Sequence, residues 1–386
     1  MKKRLACLLL LSMTLPLAAC GSSTEAEKAQ TDTAAEEENT NMVVDLMGKE
    51  VEVPKDPQNI AAMTGPSYEM VFMLDEADRV NMVKSGHTTN YPLALLTNPD
   101  LANLNTVAAN PSSSVNVEDY LKNGIDLVLY YENDTELKKF SSVGIPAVAV
   151  STSDGILDTM EEVMAQSVDD YIEVATMPVN MIAKALGTDE AKAELEEWNA
   201  YTEDVIKMIY ERTKDLTEEE RPLVYWGNTW GENILASYRL GNRWYEVHLA
   251  GGTLVGPEDG GGNFPEVTKE QLFTWNPDII LVDNHGNYPE LVIESMYKEG
   301  ADWASLKAVQ NKSLARIPAG VFFLDKGSTT ALITLWMATV IQPELFSDID
   351  IVEEVQNYYI NFYEYDMTRE EAEKVVNGWY DHSTFE

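Results

Sequence analysis

The chain has 386 residues, and its 65 acidic against 27 basic side chains give a formal net charge of −38, which becomes −41 once Lys2, Lys3 and Arg4 are removed (−38 − 3). Such a field repels nucleic acid and anionic lipid headgroups and leaves small molecules or proteins as partners. With 45% hydrophobic and 9% aromatic residues the composition is that of a globular protein, and roughly 340 ordered residues are enough for two domains of ordinary length.

Lys2, Lys3 and Arg4 precede an apolar run over residues 5–15 that ends in Leu17-Ala-Ala-Cys20. The run is too short to cross a bilayer, so residues 1–20 read as an export signal. The Leu-Ala-Ala-Cys ending resembles a lipobox, which makes Cys20 the lipidated first residue of the mature chain. Cys7 lies in the removed segment, so no thiol is left for a disulfide and stability must come from core size. Residues 21–41 are Ser, Thr, Ala, Gln and Glu without a large apolar side chain. Such a stretch cannot offset the entropy of ordering and reads as a flexible tether.

The first domain, residues 42–156, opens on two short strands around Gly48, followed by a buried strand over 59–63. The turn Thr64-Gly-Pro-Ser67 then starts a helix running through Leu74. A strand over 80–83 ends at Lys84-Ser-Gly-His87, and residues 90–114, with Pro92, Pro99 and Pro111, read as loop with one short helix. Residues 157–187 form a linking helical segment in which Pro178 kinks or splits the helix, and a second long helix follows. The remainder, 188–386, resumes with a strand at Pro222-Leu-Val-Tyr-Trp226, a helix over 243–249 ending at Gly251-Gly252, a strand over 315–317, an apolar helix over 329–341 and two terminal amphipathic helices. Alternating strands and helices point to an α/β fold with parallel sheets.

One unit occurs twice. Thr268 caps a helix in a box with Gln271, Asn276-Pro-Asp278 stops it, and residues 279–282 form a buried strand. Asn116 caps its twin with Asp119 as box partner, Gly124 stops that helix, and a strand follows over 125–131. Glu118 aligns with Glu270 and Asp126 with Asp278, each pair eight positions apart, which implies two lobes of like construction.

Several stretches together resemble the bacterial solute-binding lipoproteins that deliver iron–siderophore complexes, haem or cobalamin to ABC importers. They are Gly48-x-x-Val-x-Val-Pro54 with Asn59-Ile60, His248-Leu-Ala-Gly-Gly252, Pro265-Glu-Val-Thr-Lys-Glu-Gln-Leu272 with Asn276-Pro-Asp-Ile-Ile280, and the helix over 336–346. The resemblance implies two Rossmann-like lobes with parallel sheets joined by a single long helix, the class III arrangement, with a ligand held between them. It also implies a monomer outside the cytoplasm, lipid-anchored to the cell membrane, with permease and ATPase subunits as partners and no cofactor. In that family one surface glutamate per lobe meets arginines of the permease, which assigns docking to Glu118 and Glu270. A carboxylate in a first helical turn also stabilises its own helix, so a local role stands beside this one.

Parallel sheets bind ligands at the carboxyl ends of their strands. Those ends carry Ser67, Tyr68, His87 and Tyr131 on one side, and Trp226, Trp230, Tyr238, Arg239, Arg243, His285 and Phe323 on the other. Aromatics with a few polar donors suit a metal chelate, and Arg239 and Arg243 suit its anionic groups. Tyr225 and Trp226 are adjacent, so only one can face a cleft, and Arg243 has Glu246 within reach as an alternative partner. His87 and His285 are either metal ligands or loop histidines. Relatives that take molybdate or tungstate keep an oxyanion at residues 64–68 as an alternative. No Walker loop or nucleophile elbow is present, and Ser67 and His87 lack an orienting partner, which leaves a lipid-anchored hydrolase as the lesser reading.

Overall fold

The computed structural model describes residues 39–86, 90–108, 114–151, 160–228, 234–237, 243–257, 265–283, 289–324 and 327–379. Thr40–Glu386 form one compact unit. It opens on an antiparallel hairpin, β1 (Thr40–Val44) and β2 (Glu50–Pro54). The hairpin turns at Gly48, whose φ of 72° suits glycine, while Asp45 Oδ1 accepts from the amides of Met47 and Lys49. Strand and helix then alternate: β3 (Ile60–Ala62), α1 (Gly65–Met73), β4 (Val80–Lys84), α2 (Pro92–Thr97), β5 (Asn105–Val107), α3 (Val117–Lys122), β6 (Leu127–Tyr131), α4 (Asp134–Ser142) and β7 (Ala147–Ser151). All five strands after the hairpin are parallel, in the order β5-β4-β3-β6-β7.

Helices α5 (Met160–Ala165), α6 (Val168–Leu186) and α7 (Asp189–Thr213) lead to the second sheet. There the chain forms β8 (Leu223–Asn228), β9 (Ala236–Ser237), α8 (Arg243–Leu249), β10 (Thr253–Val255), α9 (Lys269–Trp275), β11 (Ile279–Val282), α10 (Pro289–Tyr297), α11 (Lys307–Gln310) and β12 (Leu314–Arg316). The parallel order is β10-β8-β11-β12, with β9 antiparallel on β8. Three helices close the chain: α12 (Thr330–Ile341), α13 (Ile351–Phe362) and α14 (Arg369–Val376). This is the α/β fold with two parallel sheets and long intervening helices expected from the sequence.

The second sheet repeats the first, with β10-β8-β11-β12 in the places of β4-β3-β6-β7. The repeated aspartate explains how each register is set. Asp126 accepts from the amides of Gln58 and Asn59 at 2.8 and 3.0 Å, and its own N–H donates to Asn59 O. Asp278 likewise accepts from Leu223 N at 2.9 Å and donates to Leu223 O. In both sheets the residue after the aspartate pairs with the residue after its amide donor: Leu127 with Ile60, and Ile279 with Val224. A one-residue slip would break all of these bonds and turn every side chain to the wrong face.

Two findings differ from the sequence reading. Residues 105–107 form an edge strand where only loop and helix were expected, because Asn105 and Thr106 are exposed and present no apolar run. Pro178 does not split α6, which runs unbroken from Val168 to Leu186. Side chains beside it supply local bonds, Thr176 Oγ1 to Ile172 O at 2.8 Å and Asn180 Nδ2 to Thr176 O at 2.9 Å.

The largest core runs between the sheets and is built around α12, a helix buried on nearly every side that packs on α7, α8 and α13. Two smaller cores cover the outer faces, around Tyr130 and Phe140 in the first half and Tyr225 and Ile280 in the second. Among the described residues no helix is long and apolar enough to cross a membrane.

Candidate functional site

The turn after β3 is closed on itself. Ser67 N–H donates to Thr64 Oγ1 at 3.0 Å, Thr64 N–H donates to Ser67 Oγ at 3.1 Å, and Ser67 Oγ–H donates to Thr64 O at 2.8 Å. Pro66 has no N–H to offer, so the first turn of α1 presents few free donors. Tyr68 is buried beneath it, its hydroxyl accepting from Asn98 Nδ2 at 3.2 Å. Burial pushes the Tyr68 phenol well up. Tyr131 closes β6 with its ring against Tyr130 and its hydroxyl 3.4 Å from Lys84 Nζ, and burial pushes its phenol up to about 12.

The second half reaches across to this turn. Phe322 lies so close to Gly65 that any Cβ there would run into its ring. Phe322, Phe323 and Tyr91 form one aromatic cluster, with centroids 5.1 Å (Tyr91–Phe322), 5.4 Å (Tyr91–Phe323) and 5.2 Å (Phe322–Phe323) apart. Tyr91 was not singled out from sequence, although Pro92 behind it marks a helix start.

At the carboxyl ends of β8 and β11, Asn228 Nδ2 donates to Asp283 Oδ2 at 3.0 Å, both residues fully buried. Trp226 and its neighbour Tyr225 are both inside the protein, one in the inter-sheet core and the other in the outer one. Arg243 lies 4.9 Å over the Trp226 ring and is paired with Glu246, which also accepts from Tyr171 Oη at 3.3 Å. Of the two partners weighed for Arg243, the structure places Glu246 against it. Phe323 is buried in the aromatic cluster. His87, Trp230, Tyr238, Arg239, His285 and Cys20 lie outside the described residues.

Every described arginine has a protein partner. Arg79 pairs with Asp56 and Glu76, Arg212 with Asp348, Arg243 with Glu246, Arg316 with Glu290 and Arg369 with Asp350. Arg221 donates to the carbonyls of His248 and Thr213. Among the described residues no group of three His, Cys, Asp or Glu side chains could hold a metal ion.

Glu118 and Glu270 occupy the same place, the second residue of α3 and of α9, and both are exposed. Asn116 Oδ1 accepts from Glu118 N–H, and Thr268 and Gln271 form the reciprocal box expected of them. Buried Glu136 fixes the entry to α3 by accepting from Val115 N–H at 2.6 Å. The surroundings differ: Leu121, half exposed, flanks Glu118, whereas Glu270 stands beside a Phe273–Trp303 stack roofed by Lys269.

Residues 60–320 match the family described as periplasmic binding protein. The chain belongs to that family. As a member, the binding protein is the solute-binding component of an ABC transporter, working outside the cytoplasm with a permease as partner and a small molecule as ligand. It is 23% identical over 338 residues to the molybdate-binding protein MolA of Haemophilus influenzae, covering 83% of this chain and 90% of that protein. The structure of MolA bound to molybdate superposes with a TM-score of 0.69 at 23% identity, over 85% of this chain and 99% of that one. A periplasmic solute-binding protein from Veillonella parvula gives a TM-score of 0.68 at 24% identity, over 88% and 97% of the two chains. An Fe3+-hydroxamate transport protein from Saccharomonospora viridis gives 0.58 at 16% identity, over 78% and 98%.

Proposed function

We propose that the binding protein captures an iron complex with apolar faces, a siderophore or haem-like chelate, at the carboxyl ends of its two sheets and delivers it to a membrane permease. The observation that carries this reading is Phe322, partly exposed where it lies against Gly65 and backed by the buried rings of Tyr91 and Phe323. Clustered rings gain most from a large flat ligand. In this reading Arg239, His87 and His285 meet its polar atoms. A bare oxyanion held by the amides of residues 64–68 is disfavoured, since that turn consumes its own donors. Molybdate held by other loops is the second reading, favoured by the ligand named for the Haemophilus relative; cobalamin belongs with the chelates.

In this reading Glu118 and Glu270 dock on permease arginines, and Cys20 carries the lipid that tethers the monomer to the membrane. Calorimetry on residues 40–386 with ferric hydroxamate, haemin, cobalamin and molybdate tests the ligand. A chelate that binds, and binds about tenfold more weakly to Phe322→Ala, supports the proposal, tenfold being the ~1.4 kcal/mol of one aromatic contact. Binding of molybdate alone, lost in Arg239→Ala and untouched in Phe322→Ala, would replace it with the oxyanion reading.

A further inference from the structure

Glu69 stands on α1, two residues beyond Ser67, with only 2% of its surface exposed. Its carboxylate accepts from Ser328 N–H at 3.1 Å, from Ser328 Oγ–H and from Tyr363 Oη–H. Ser328 also has its hydroxyl 2.7 Å from Tyr358 Oη, and its carbonyl accepts from Trp198 Nε1 at 2.8 Å and Tyr358 Oη at 3.0 Å. One carboxyl and one serine therefore gather α1, α7 and α13 at a single dry junction. Gly327, at φ 74°, has no side chain where an added Cβ would come within 2.5 Å of Glu69 Oε2.

The same stretch of chain carries Phe322. Residues 318–324 are held at their other end by Ala319 N–H to Val375 O at 3.0 Å and by Val321 N–H to Tyr359 Oη at 3.2 Å. This strap follows β12 and reaches α1 at Gly65, and its last described residue, Leu324, is tied to the residue after Ser328 by Thr329 Oγ1–H donating to Leu324 O at 2.8 Å. The ionisable groups facing Glu69 are the phenols of Tyr358 and Tyr359 on α13 and of Tyr363 just beyond its end, and no Lys, Arg or His among the described residues forms an ion pair with it.

We infer that Glu69 is the positioning residue of the cleft: by holding Ser328 on α1 it fixes the strap that lays Phe322 on Gly65. As an acid without a cation beside it, it makes the strap's hold depend on pH. The importance for ligand capture rests on the cleft proposed above, but the strap itself is measurable without any ligand, so the two readings fail separately.

Burial holds the Glu69 carboxyl above the ordinary carboxylate range. Once the strap lifts and water enters, that range is restored. The closed form then keeps a proton that the open form releases, so the hold is complete below the ordinary carboxylate range and is lost as pH rises through the closed-form value. Between those limits the open population rises by up to about tenfold per pH unit.

The Trp198 indole N–H reports the junction directly. Its hydrogen exchange, followed by NMR on the full chain with the resonance identified through Trp198→Phe, is taken as the ratio of wild type to Glu69→Gln, so that base catalysis common to both cancels. The ratio should rise with pH and then level off; a ratio flat from pH 5 to pH 9 overturns the inference. Should Glu69→Gln not fold, Tyr363→Phe serves in its place. Removing a donor to the carboxylate moves the midpoint to higher pH, and an unmoved midpoint is equally fatal.

Discussion

Arg243 carries a positive charge into the core, where Glu246 and the face of Trp226 answer it. Removing one partner of a buried pair strands the other, so Arg243→Ala should lower stability by about 3–5 kcal/mol in urea unfolding, while the double change with Glu246→Ala should cost less than the sum. His248 gives a second test at this scale. Burial, reinforced by the Arg221 charge, holds its imidazole below the ordinary value. The folded protein resists taking up that proton, so the contribution of His248 is intact above pH ~6.5 and declines as pH falls below it. Melting curves at pH 7.5 and pH 5 should show a loss that His248→Gln lacks. Sequence made the Arg243–Glu246 pairing visible as an option, because three residues bring side chains together on a helix. It did not reveal Glu69 or Ser328, whose meeting joins positions 259 residues apart and leaves no local pattern.

The twin aspartates argue at the scale of elements. Asp126→Ala and Asp278→Ala each leave strand-entry amides without an acceptor and should each cost about 1–3 kcal/mol. Losses are expected in both sheets, since Asp126 holds two strand-entry amides and Asp278 holds one with Lys307 Nζ beside it; a loss confined to one sheet would mean that the other's register is set elsewhere. In α6, Pro178→Ala restores a backbone bond and should stabilise the helix by up to ~3 kcal/mol in thermal unfolding. The start of α9 was legible because its cap and box partner, Thr268 and Gln271, stand three apart. The edge strands β5 and β10 were not expected from the sequence.

For the whole molecule, the proposed docking and capture fall on different surfaces, and charge reversal should separate them. Glu118→Lys and Glu270→Lys should each leave ligand affinity in calorimetry unchanged and reduce transport in cells, with the double change abolishing it. Unimpaired uptake by the double variant would remove both residues from the docking surface. The two-sheet plan was readable because its repeat is written in the sequence. The cleft was less so, since Tyr91, Phe322 and Gly65 meet only once the two halves are folded against each other.

The aspartate pins also bear on how such a scaffold changes cargo. They lock each sheet at the amino ends of its strands, while the proposed ligand contacts lie on the loops at the opposite ends. A loop transplanted from a relative with a different cargo should therefore disturb neither register, and specificity could drift by exchange of loop sequence while the frame that carries Glu118 and Glu270 stays as it is.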